Sequence, residues 1–488
     1  MTTKSILELA NWNEDQELTL LLSLLRKDVN LWQNTMTASQ LQEIDWSRLL
    51  RLTEHHRVIP TVYLQLKTLN HPFIPAELLR NLQAQYHRNT LRMLHLQAEA
   101  ERLTRLLTAH GIRVLMLKGP ALAQQLYGDV SLRTSKDIDL LIAPDDMDEA
   151  EHWMKEAGYA SKSGEVRVLG SWKWKDHHAS FLHPQKRVEV ELHWRLHPDG
   201  GREPSFDELW DCRQMGKAPA VRASQMAPAT SADSRNVMTS CMYTLGSEHQ
   251  FLYLSAHGAR HGWFRLRWLV DIDRLAVRAV DWGVLLPLMR RYGGLPAGGQ
   301  AWALAAALLG TPIPEPMRPI SATRQAHRLA LSALAFMQAS VPAPYPVANR
   351  AGTGRLVRSE LLPSVALTES MNTAPLSGGI SASGAAGEAV LYAVSDAAVS
   401  SLSKPVGATP VAPSPAIAGA TTTAFTPQPV SRAYLLSLKE PRHRLWYLIS
   451  RLFPSTRDSV VFPLPRHLHF LYIPLRPFLW LKRRFTKH

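Results

Sequence analysis

The sequence contains few of the features that build disulfide-stapled, secreted or membrane-spanning proteins. Its 488 residues include only two cysteines, Cys212 and Cys241, which are too few for a disulfide framework and too sparse for a structural zinc site. No apolar stretch reaches the roughly 18 residues of a spanning helix. The first residues lack a basic segment followed by an apolar run, so no signal peptide is expected. These absences predict a cytoplasmic protein, at most peripheral to the inner face of the membrane.

Two common catalytic signatures are missing. There is no Gly-x-Ser-x-Gly elbow and no Walker A sequence, which argues against a serine hydrolase and a P-loop enzyme. Acidic residues are also in the minority, and the net charge is +14. Most of the excess lies in residues 432–488, where twelve Lys and Arg face two acids. Such a tail favours polyanions: nucleic acid, acidic glycans or anionic lipid.

Hydrophobic spacing divides the chain into regions of different character. Apolar residues three and four apart predict helices before and after a central segment, in which short apolar runs alternate with helical patterns. A stretch rich in Ala, Ser, Thr, Pro and Gly follows, and it predicts a disordered linker. The sequence therefore predicts an α+β fold with five parts: an N-terminal helical region (1–97), a small mixed-sheet core (98–215), a C-terminal helical domain (216–341), a low-complexity linker (342–431) and a basic aromatic tail (432–488).

The core and its borders carry specific element predictions. Pro75 is expected to start a long helix to Gly111 with a break near Thr90, and residues 216–244 are expected to form a loop. Strands are predicted over 112–117, 137–142, 179–183 and 187–194, with helices over 120–127 and 144–157.

The main chemical feature of the core is a set of acidic residues on predicted strands. Asp137 and Asp139 are two apart in a strand and therefore project from the same face. Their apolar neighbours limit hydration, so a divalent cation between them would relieve both repulsion and burial. Oxygen ligands favour magnesium. The opposing interpretation is a solvated Asp-x-Asp at a sheet edge.

A third acid is expected from the strand over residues 187–194. Glu191 and Glu189 share a face there, so periodicity alone does not choose between them. Three carboxylates around two metal ions would activate a hydroxyl nucleophile and stabilise leaving pyrophosphate. Gly119 lets the backbone approach a phosphate closely, and Lys118 can pair with it as a point charge.

Basic residues near the acids carry alternative interpretations. Arg133 and Lys136 precede the acid strand and form either a phosphate clamp or a salt bridge to the acids. The second Asp-x-Asp, Asp271 and Asp273, lies in a helical pattern, where residues two apart diverge. It predicts one buried or capping acid and one solvated acid.

Histidine and aromatic residues are mostly expected to serve packing. His193 and Trp194 are expected to pack under the sheet. Two histidine pairs remain, His177 with His178 and His257 with His261. A zinc site is the weaker interpretation of these pairs, because no third ligand is evident. In the tail, segments 442–452 and 466–485 mix basic and aromatic residues. They predict docking on an anionic membrane surface, a nucleic-acid stacking surface or a helix folded back on the core. Pro474 and Pro477 are expected to break any long helix there.

The stretch LKGPALAQQLYGDVSLRTSKDIDLLI (117–142), with Glu-Leu-His-Trp at 191–194 and HGWFRLRWLVDIDRLA at 261–276, resembles the uncharacterised nucleotidyltransferase family of bacterial proteins. That family belongs to the polymerase-beta-like superfamily. The likeness covers about residues 20–340. It implies a nucleotidyltransferase core over 98–215, with Asp137, Asp139 and Glu191 as metal ligands and Lys118 and Gly119 beside a nucleoside triphosphate.

One departure from the superfamily pattern concerns the phosphates. The superfamily usually has Gly-Gly or Gly-Ser about ten residues before the acids, whereas Gly119 is followed by Pro120 and lies 18 positions before Asp137. The departure predicts that triphosphate binding is either unusual in its mode or weak.

The resemblance implies a magnesium-dependent transfer of a nucleoside monophosphate from a triphosphate to a hydroxyl acceptor, in a setting linked to polysaccharide machinery. The alternatives are an inactive binding or regulatory module and an RNA-directed enzyme that uses the basic tail.

Overall fold

The computed structural model describes nine segments of the chain: 15–26, 38–162, 172–198, 201–216, 242–278, 280–339, 430–450, 453 and 456–485. The predicted linker over 342–431 lies outside the described residues except for residues 430 and 431. Most of the loop predicted over 216–244 also lies outside them, and at its end the prediction is wrong, because Tyr243 and Thr244 form a strand. What is described forms the expected α+β architecture, with a mixed sheet and helices on both of its sides.

Within the described residues, five helices precede the sheet, and Asp15 and Asp45 cap two of them. Each aspartate accepts a hydrogen bond from a backbone N–H three residues later, which satisfies a free donor of the first turn. The last helix is continuous, so the predicted break near Thr90 is wrong: the Thr90 hydroxyl bonds to the Tyr86 carbonyl within the helix. The helices are α1 (Gln16–Leu25), α2 (Ala38–Glu43), α3 (Trp46–His56), α4 (Ile59–Leu69) and α5 (Ala76–Ala109).

The sheet has seven described strands in the order β3-β4-β5-β2-β1-β7-β6. β2 pairs in parallel with β5 and antiparallel with β1, so the two strands that carry the predicted acids are neighbours. The predicted strand over 112–117 pairs over only two residues. The strands are β1 (Leu115–Met116), β2 (Asp137–Leu141), β3 (Ala160–Ser161), β4 (His178–His183), β5 (Val188–His193), β6 (Gln214–Met215) and β7 (Tyr243–Thr244).

The two faces of the sheet have different partners because side chains alternate along β2. Ile138, Leu140 and Ile142 are buried in one apolar cluster with α5. Each such side chain stabilises the fold by about 1.5–3 kcal/mol. The opposite face carries Asp137 and Asp139. Four helices connect the strands: α6 (Gly119–Tyr127), α7 (Met147–Glu156), α8 (Trp172–Lys175) and α9 (Phe206–Asp211).

A second apolar cluster joins the N-terminal helices to the helices after the sheet. It contains Trp263 and Trp302, whose side chains are fully buried. This cluster lies on the acid-bearing side of the sheet and includes Leu141 of β2. The helices are α10 (Ser247–Arg260), α11 (Leu266–Ala276), α12 (Trp282–Arg291), α13 (Leu295–Leu309), α14 (Arg318–Ser321) and α15 (Arg324–Ala339).

The start of the tail packs on this helical region. Tyr434 is buried, and its hydroxyl donates to the Ala259 carbonyl at 2.9 Å and accepts from the Gln300 amide at 2.9 Å. The expectation that Pro474 and Pro477 break a long helix is wrong, because one helix runs from Tyr472 to Phe485 and contains both. Pro474 lies in its first turn, where a backbone N–H has no partner within the helix. Pro477 lacks an N–H that could donate within the helix, but the helix continues past it. The tail helices are α16 (Arg432–Ser437), α17 (Pro441–Ser450), α18 (Thr456–Val461) and α19 (Tyr472–Phe485). None of the described helices is both long and apolar enough to traverse a lipid bilayer.

Candidate active site

The register of two parallel strands brings the predicted acids together. Asp139 of β2 lies directly opposite Glu191 of β5, and Asp137 lies opposite Glu189. The structure gives the two glutamates different surroundings. Glu189 forms an ion pair with Lys162 at 2.8 Å, whereas Glu191 lies with Asp139 at the same cavity.

Asp139 is the most deeply buried acid of the group, with a side chain that is 1% exposed. Its Oδ1 forms an ion pair with Lys118 Nζ at 2.9 Å, and its Oδ2 accepts no hydrogen bond from any described residue. Burial alone would raise the pKa of Asp139, but the charge of Lys118 and a hydrogen bond from His193 hold it well below its ordinary value. Asp139 is therefore ionised at neutral pH.

His193 stands between two carboxylates. Its Nε2 lies 3.3 Å from Glu191 Oε2 and 3.4 Å from Asp139 Oδ1. Burial would lower its pKa, but the bonds to Asp139 and Glu191 raise it. The expectation that His193 packs under the sheet is wrong: it shares the face of Glu191 because the two residues are two apart in a strand. Trp194 does pack, edge-on against Trp172.

Asp137 lies at the more open end of the acid group. Its Oδ1 accepts a hydrogen bond from Ser135 Oγ at 3.3 Å. Burial, and then the negative charge of Asp139, raise the pKa of Asp137.

The backbone before α6 approaches the acid strand closely. Gly119 has φ +69°, and a Cβ there would lie 3.4 Å from the Asp137 carbonyl oxygen. Lys118 lies 5.7 Å from the centre of the Tyr253 ring. Although burial lowers its pKa, the charge of Asp139 more than offsets this and raises the pKa above its ordinary value.

Arg133 forms a buried ion pair with Asp271 of α11. Two nitrogens of its guanidinium group bond to the carboxylate at 2.9–3.2 Å, and the Tyr127 hydroxyl also donates to Asp271 at 2.9 Å. The salt bridge therefore joins the sheet core to the helical domain instead of reaching Asp137 or Asp139. Asp271 is the expected buried acid, but the expectation that Asp273 is solvated is wrong, because it is buried and accepts from Thr311 at 2.8 Å.

The acids open into a cavity of about 380 Å³ between the sheet and the helical regions. Of the described residues that line it, seven are Lys or Arg and three are Asp or Glu. A site with this charge balance favours a ligand that is strongly anionic. Its volume is within the range of pockets for small molecules and cofactors.

The side chains present can hold a metal ion. Ligand atoms of Asp139, Glu191 and His193 lie within 4.8 Å of one another, as do those of His177, His178 and His193. The Oδ2 atom of Asp139, which lacks a hydrogen bond from any described residue, is the kind of buried anionic oxygen that a cation satisfies. Two or three carboxylates suit magnesium, and the adjacent imidazole adds a nitrogen donor.

The two histidine pairs that were considered as zinc ligands line the same cavity. His257 and His261 have ring centres 4.7 Å apart, and the ring of His261 stacks on Trp268. Burial lowers the pKa of His261 to about 3, so its ring is neutral. His178 Nε2 lies 3.8 Å from Glu191 Oε1. Among the described residues, His257 and His261 have no third ligand within coordinating reach.

Several cavity residues were missed from the sequence, among them Tyr253, Arg57 and two arginines near the start of α11, Arg265 and Arg267. They lie more than 60 positions from the acids along the chain. His193 carried a usable signal, because it lies two residues after Glu191 on an alternating strand.

Comparison with known proteins identifies the family. Residues 42–310 match the family model described as uncharacterised nucleotidyltransferase. No curated protein and no solved structure matches the chain. The matched range covers more than half of the chain and includes the acid strands, the Lys118–Gly119 turn and Asp271. The protein therefore belongs to this family of uncharacterised nucleotidyltransferases.

Proposed function

We propose that the protein transfers a nucleoside monophosphate from a nucleoside triphosphate to a hydroxyl acceptor, with magnesium ions as cofactor. The observation that carries the proposal is the pairing of Asp139 with Glu191 across two parallel strands, beside Asp137, at a cavity lined mainly by cations. Family membership supports nucleotidyl transfer as the general activity.

Asp137, Asp139 and Glu191 are the residues that would hold magnesium. When bound, magnesium ions would withdraw charge from the phosphates and lower the pKa of the acceptor hydroxyl. Asp139 is ionised and fully buried, which suits a ligand. Glu191 is 23% exposed, so its carboxylate can reach the acceptor and take the hydroxyl proton.

The reaction balances with these groups. The acceptor oxygen forms a bond to the α-phosphorus, the bond from that phosphorus to the bridging oxygen breaks, and pyrophosphate leaves. Lys118 can turn from Asp139 to a phosphate oxygen once that carboxylate is otherwise neutralised. Arg133 keeps one guanidinium nitrogen, Nη1, free of hydrogen bonds to described residues, and Gly119 leaves room beside the Asp137 backbone.

The direct test is binding and turnover of labelled nucleoside triphosphates by the full chain. We expect binding that requires both magnesium and the two aspartates, so the double variant Asp137→Asn/Asp139→Asn should lose it. Asp145→Asn is the matched control, because Asp145 is 89% exposed and pairs with Lys173. Failure of the folded wild type to bind any of the four triphosphates would favour the inactive binding module instead.

The acceptor is tested once binding is established. The resemblance to proteins of polysaccharide machinery supports a glycan-type hydroxyl, so mixtures of sugar acceptors and RNA are offered with the preferred triphosphate. Transfer to sugar hydroxyls would support the glycan acceptor. Transfer to RNA that weakens with rising salt would support the RNA-directed alternative.

A second proposal concerns the tail. We propose that it docks on an anionic membrane surface, because large apolar side chains are exposed among its basic residues. Leu445 is 62% exposed, Trp446 55% and Phe478 70%. Such side chains insert at the lipid interface while Lys and Arg attract anionic headgroups.

The tail proposal is tested by cosedimentation of the full chain with vesicles. Vesicles with phosphatidylserine should bind the wild type, and neutral vesicles should bind it less. Trp446→Ser/Phe478→Ser should weaken this binding, whereas Leu91→Ser should not, since Leu91 is equally exposed (69%) but lies on α5. Equal binding by all variants would contradict the proposal.

A further inference from the structure

Four of the described arginines reach the cavity from the helical regions: Arg260 of α10, and a group of three formed by Arg57, Arg265 and Arg267. Arg57 directly follows α3, Arg265 directly precedes α11, and Arg267 lies in the first turn of α11. All three line the cavity that holds Asp137, Asp139 and Glu191. The cavity therefore has an acidic wall on the sheet and a basic wall on the helices.

The basic wall is built on neutral oxygens. Arg265 Nη1 donates to the His55 carbonyl at 2.6 Å, and Arg267 Nη1 donates to the Thr134 carbonyl. The Thr134 hydroxyl donates in turn to the Arg57 carbonyl at 3.1 Å. Within the described segments, none of these three guanidinium groups forms an ion pair with a carboxylate.

The positive charges of this wall are offset only in part, because Asp137 acts on Arg57 and Asp271 on Arg267 without a direct ion pair. Burial, and then the charge of Arg57, lower the pKa of Arg265 to about 10. Burial, and then the charge of Arg133, lower the pKa of Arg267 to about 9. Both remain protonated at neutral pH. A cation that is partly or fully withdrawn from water without an ion-pair partner is costly, and perturbed groups of this kind cluster at functional sites.

Two other cations of the cavity differ because each has a carboxylate partner. Lys118 is neutralised by Asp139 at 2.9 Å and Arg133 by Asp271 at 2.9 Å. Arg57 has a backbone φ of +57° because it is the left-handed cap that ends α3, where its N–H bonds to the Glu54 and Thr53 carbonyls.

We propose that Arg57, Arg265 and Arg267 form the subsite for the triphosphate of the nucleotide, in place of the missing Gly-Gly or Gly-Ser turn. This inference rests on the proposed nucleotidyl transfer and assigns the phosphate-binding part of the same site. Guanidinium groups match phosphate oxygens through paired hydrogen bonds. The phosphates would thus lie between the basic wall and the acids.

The test uses inorganic tripolyphosphate with the full chain in the presence of EDTA, so that metal binding plays no part. Titration calorimetry compares the wild type with Arg57→Asn, Arg265→Gln and the double variant. Asparagine suits position 57 because it tolerates a positive φ. Arg51→Gln is the matched control, since Arg51 lies on the same helix α3 and pairs with exposed Asp45.

We expect each single variant to bind tripolyphosphate about tenfold more weakly and the double variant about a hundredfold more weakly, as loss of charge-assisted hydrogen bonds predicts. Arg51→Gln should bind like the wild type. Melting curves confirm that each variant is folded. The subsite would be overturned if the wild type did not bind tripolyphosphate. It would also be overturned if folded Arg57→Asn and Arg265→Gln bound tripolyphosphate as tightly as the wild type.

The two proposals fail in different ways. Nucleotide transfer that persists while the arginine variants bind tripolyphosphate normally would remove the subsite and leave the function. Arginine-dependent tripolyphosphate binding without magnesium-dependent nucleotide binding would remove the function and leave the anion site. Asp137→Asn/Asp139→Asn should retain tripolyphosphate binding in EDTA, because the acids repel the free anion.

Discussion

The two walls of the cavity use charge in different ways. On the sheet wall, Lys118 Nζ lies 2.9 Å from Asp139, and the His193 ring lies 3.3–3.4 Å from Glu191 and Asp139. On the helical wall, Arg265 and Arg267 donate to backbone carbonyl oxygens, and neither forms an ion pair with a described carboxylate. Paired charges hold the side chains of a site in position before the ligand binds. Charges without an ion-pair partner gain the most electrostatic stabilisation when the ligand binds. The comparison predicts that substitutions on the sheet wall lower the rate of the reaction. Substitutions on the helical wall should weaken the binding of anions.

The largest expected effect is on stability and concerns the link between the walls. Asp271→Asn leaves Arg133 buried without its counter-charge, so the free energy of unfolding should fall by about 3–5 kcal/mol. Urea unfolding of the full chain measures it. Asp281→Asn is the control, because Asp281 is an exposed helix cap whose hydrogen bonds asparagine can keep. Equal loss in both variants would contradict the role of the buried pair.

The next largest effect is on turnover. Asp139→Asn keeps the shape of the side chain but removes the buried charge, and transfer should fall roughly a hundredfold to a thousandfold. Initial rates at saturating nucleotide and magnesium measure it. Tripolyphosphate binding in EDTA should not weaken. A variant with near wild-type rates would show that the acids are not the reacting site.

The third effect is pH-dependent and reports on the helical wall. Burial, and then the charge of Arg265, lower the pKa of His55 to about 4 from an ordinary value near 6.5. Between these two pH values the unfolded chain binds more protons at His55 than the folded protein does. The contribution of neutral His55 to the free energy of unfolding is therefore complete above about pH 6.5 and is lost as the pH falls toward 4. His55→Gln should remove about 1–2 kcal/mol of that pH dependence, after allowance for solvent screening.

The measurement is urea unfolding at pH 5 and pH 7, with His87→Gln as the control on the exposed side of α5. Arg265→Gln should raise the pKa of His55, which nuclear magnetic resonance can follow. An unchanged pKa in that variant would indicate that burial alone is responsible.

A smaller effect is expected where α6 meets the acid strand. Gly119→Ala and Gly128→Ala both place a Cβ at positive φ, which costs about 1–2 kcal/mol. Only the Gly119 Cβ approaches the Asp137 carbonyl oxygen, at 3.4 Å, whereas Gly128 has open space. Thermal melting should show similar destabilisation of both, while turnover should fall only in Gly119→Ala. Equal turnover in the two variants would mean that this contact does not position Asp137.

The smallest effect distinguishes the two glutamates of β5. Glu189→Gln removes an ion pair with Lys162, whose side chain is 44% exposed, so stability should change by about 0–1 kcal/mol. Its transfer rate should match that of the wild type. Glu191→Gln should reduce the rate strongly, because that carboxylate lies with Asp139. The reverse ranking would assign the third acid to Glu189.

Much of the acid site was predictable from local periodicity. Alternation in a strand is enough to put Asp137 and Asp139 on one face. The same alternation places His193 beside Glu191, so the position of His193 was predictable as well. Strands β2, β4 and β5 and helices α6 and α7 were predicted in the same way, with small differences in their ends. The strand predicted over 112–117 is only two residues long, and β3, β6, α8 and α9 were not predicted. Thr90 and Pro477 were misjudged because a single unfavourable residue does not interrupt a helix that packing supports.

What the sequence by itself determined is the set of acids, the helix and strand pattern around them, and the family. Only the tertiary structure shows the different surroundings of Glu189 and Glu191, because these depend on which neighbour each carboxylate meets across the sheet. It also decided the partner of Arg133, which lies 138 positions away, and the basic wall of Arg57 and Arg265. Periodicity acts over a few residues, whereas these contacts form when distant segments pack together, so their pairing carries no local signal.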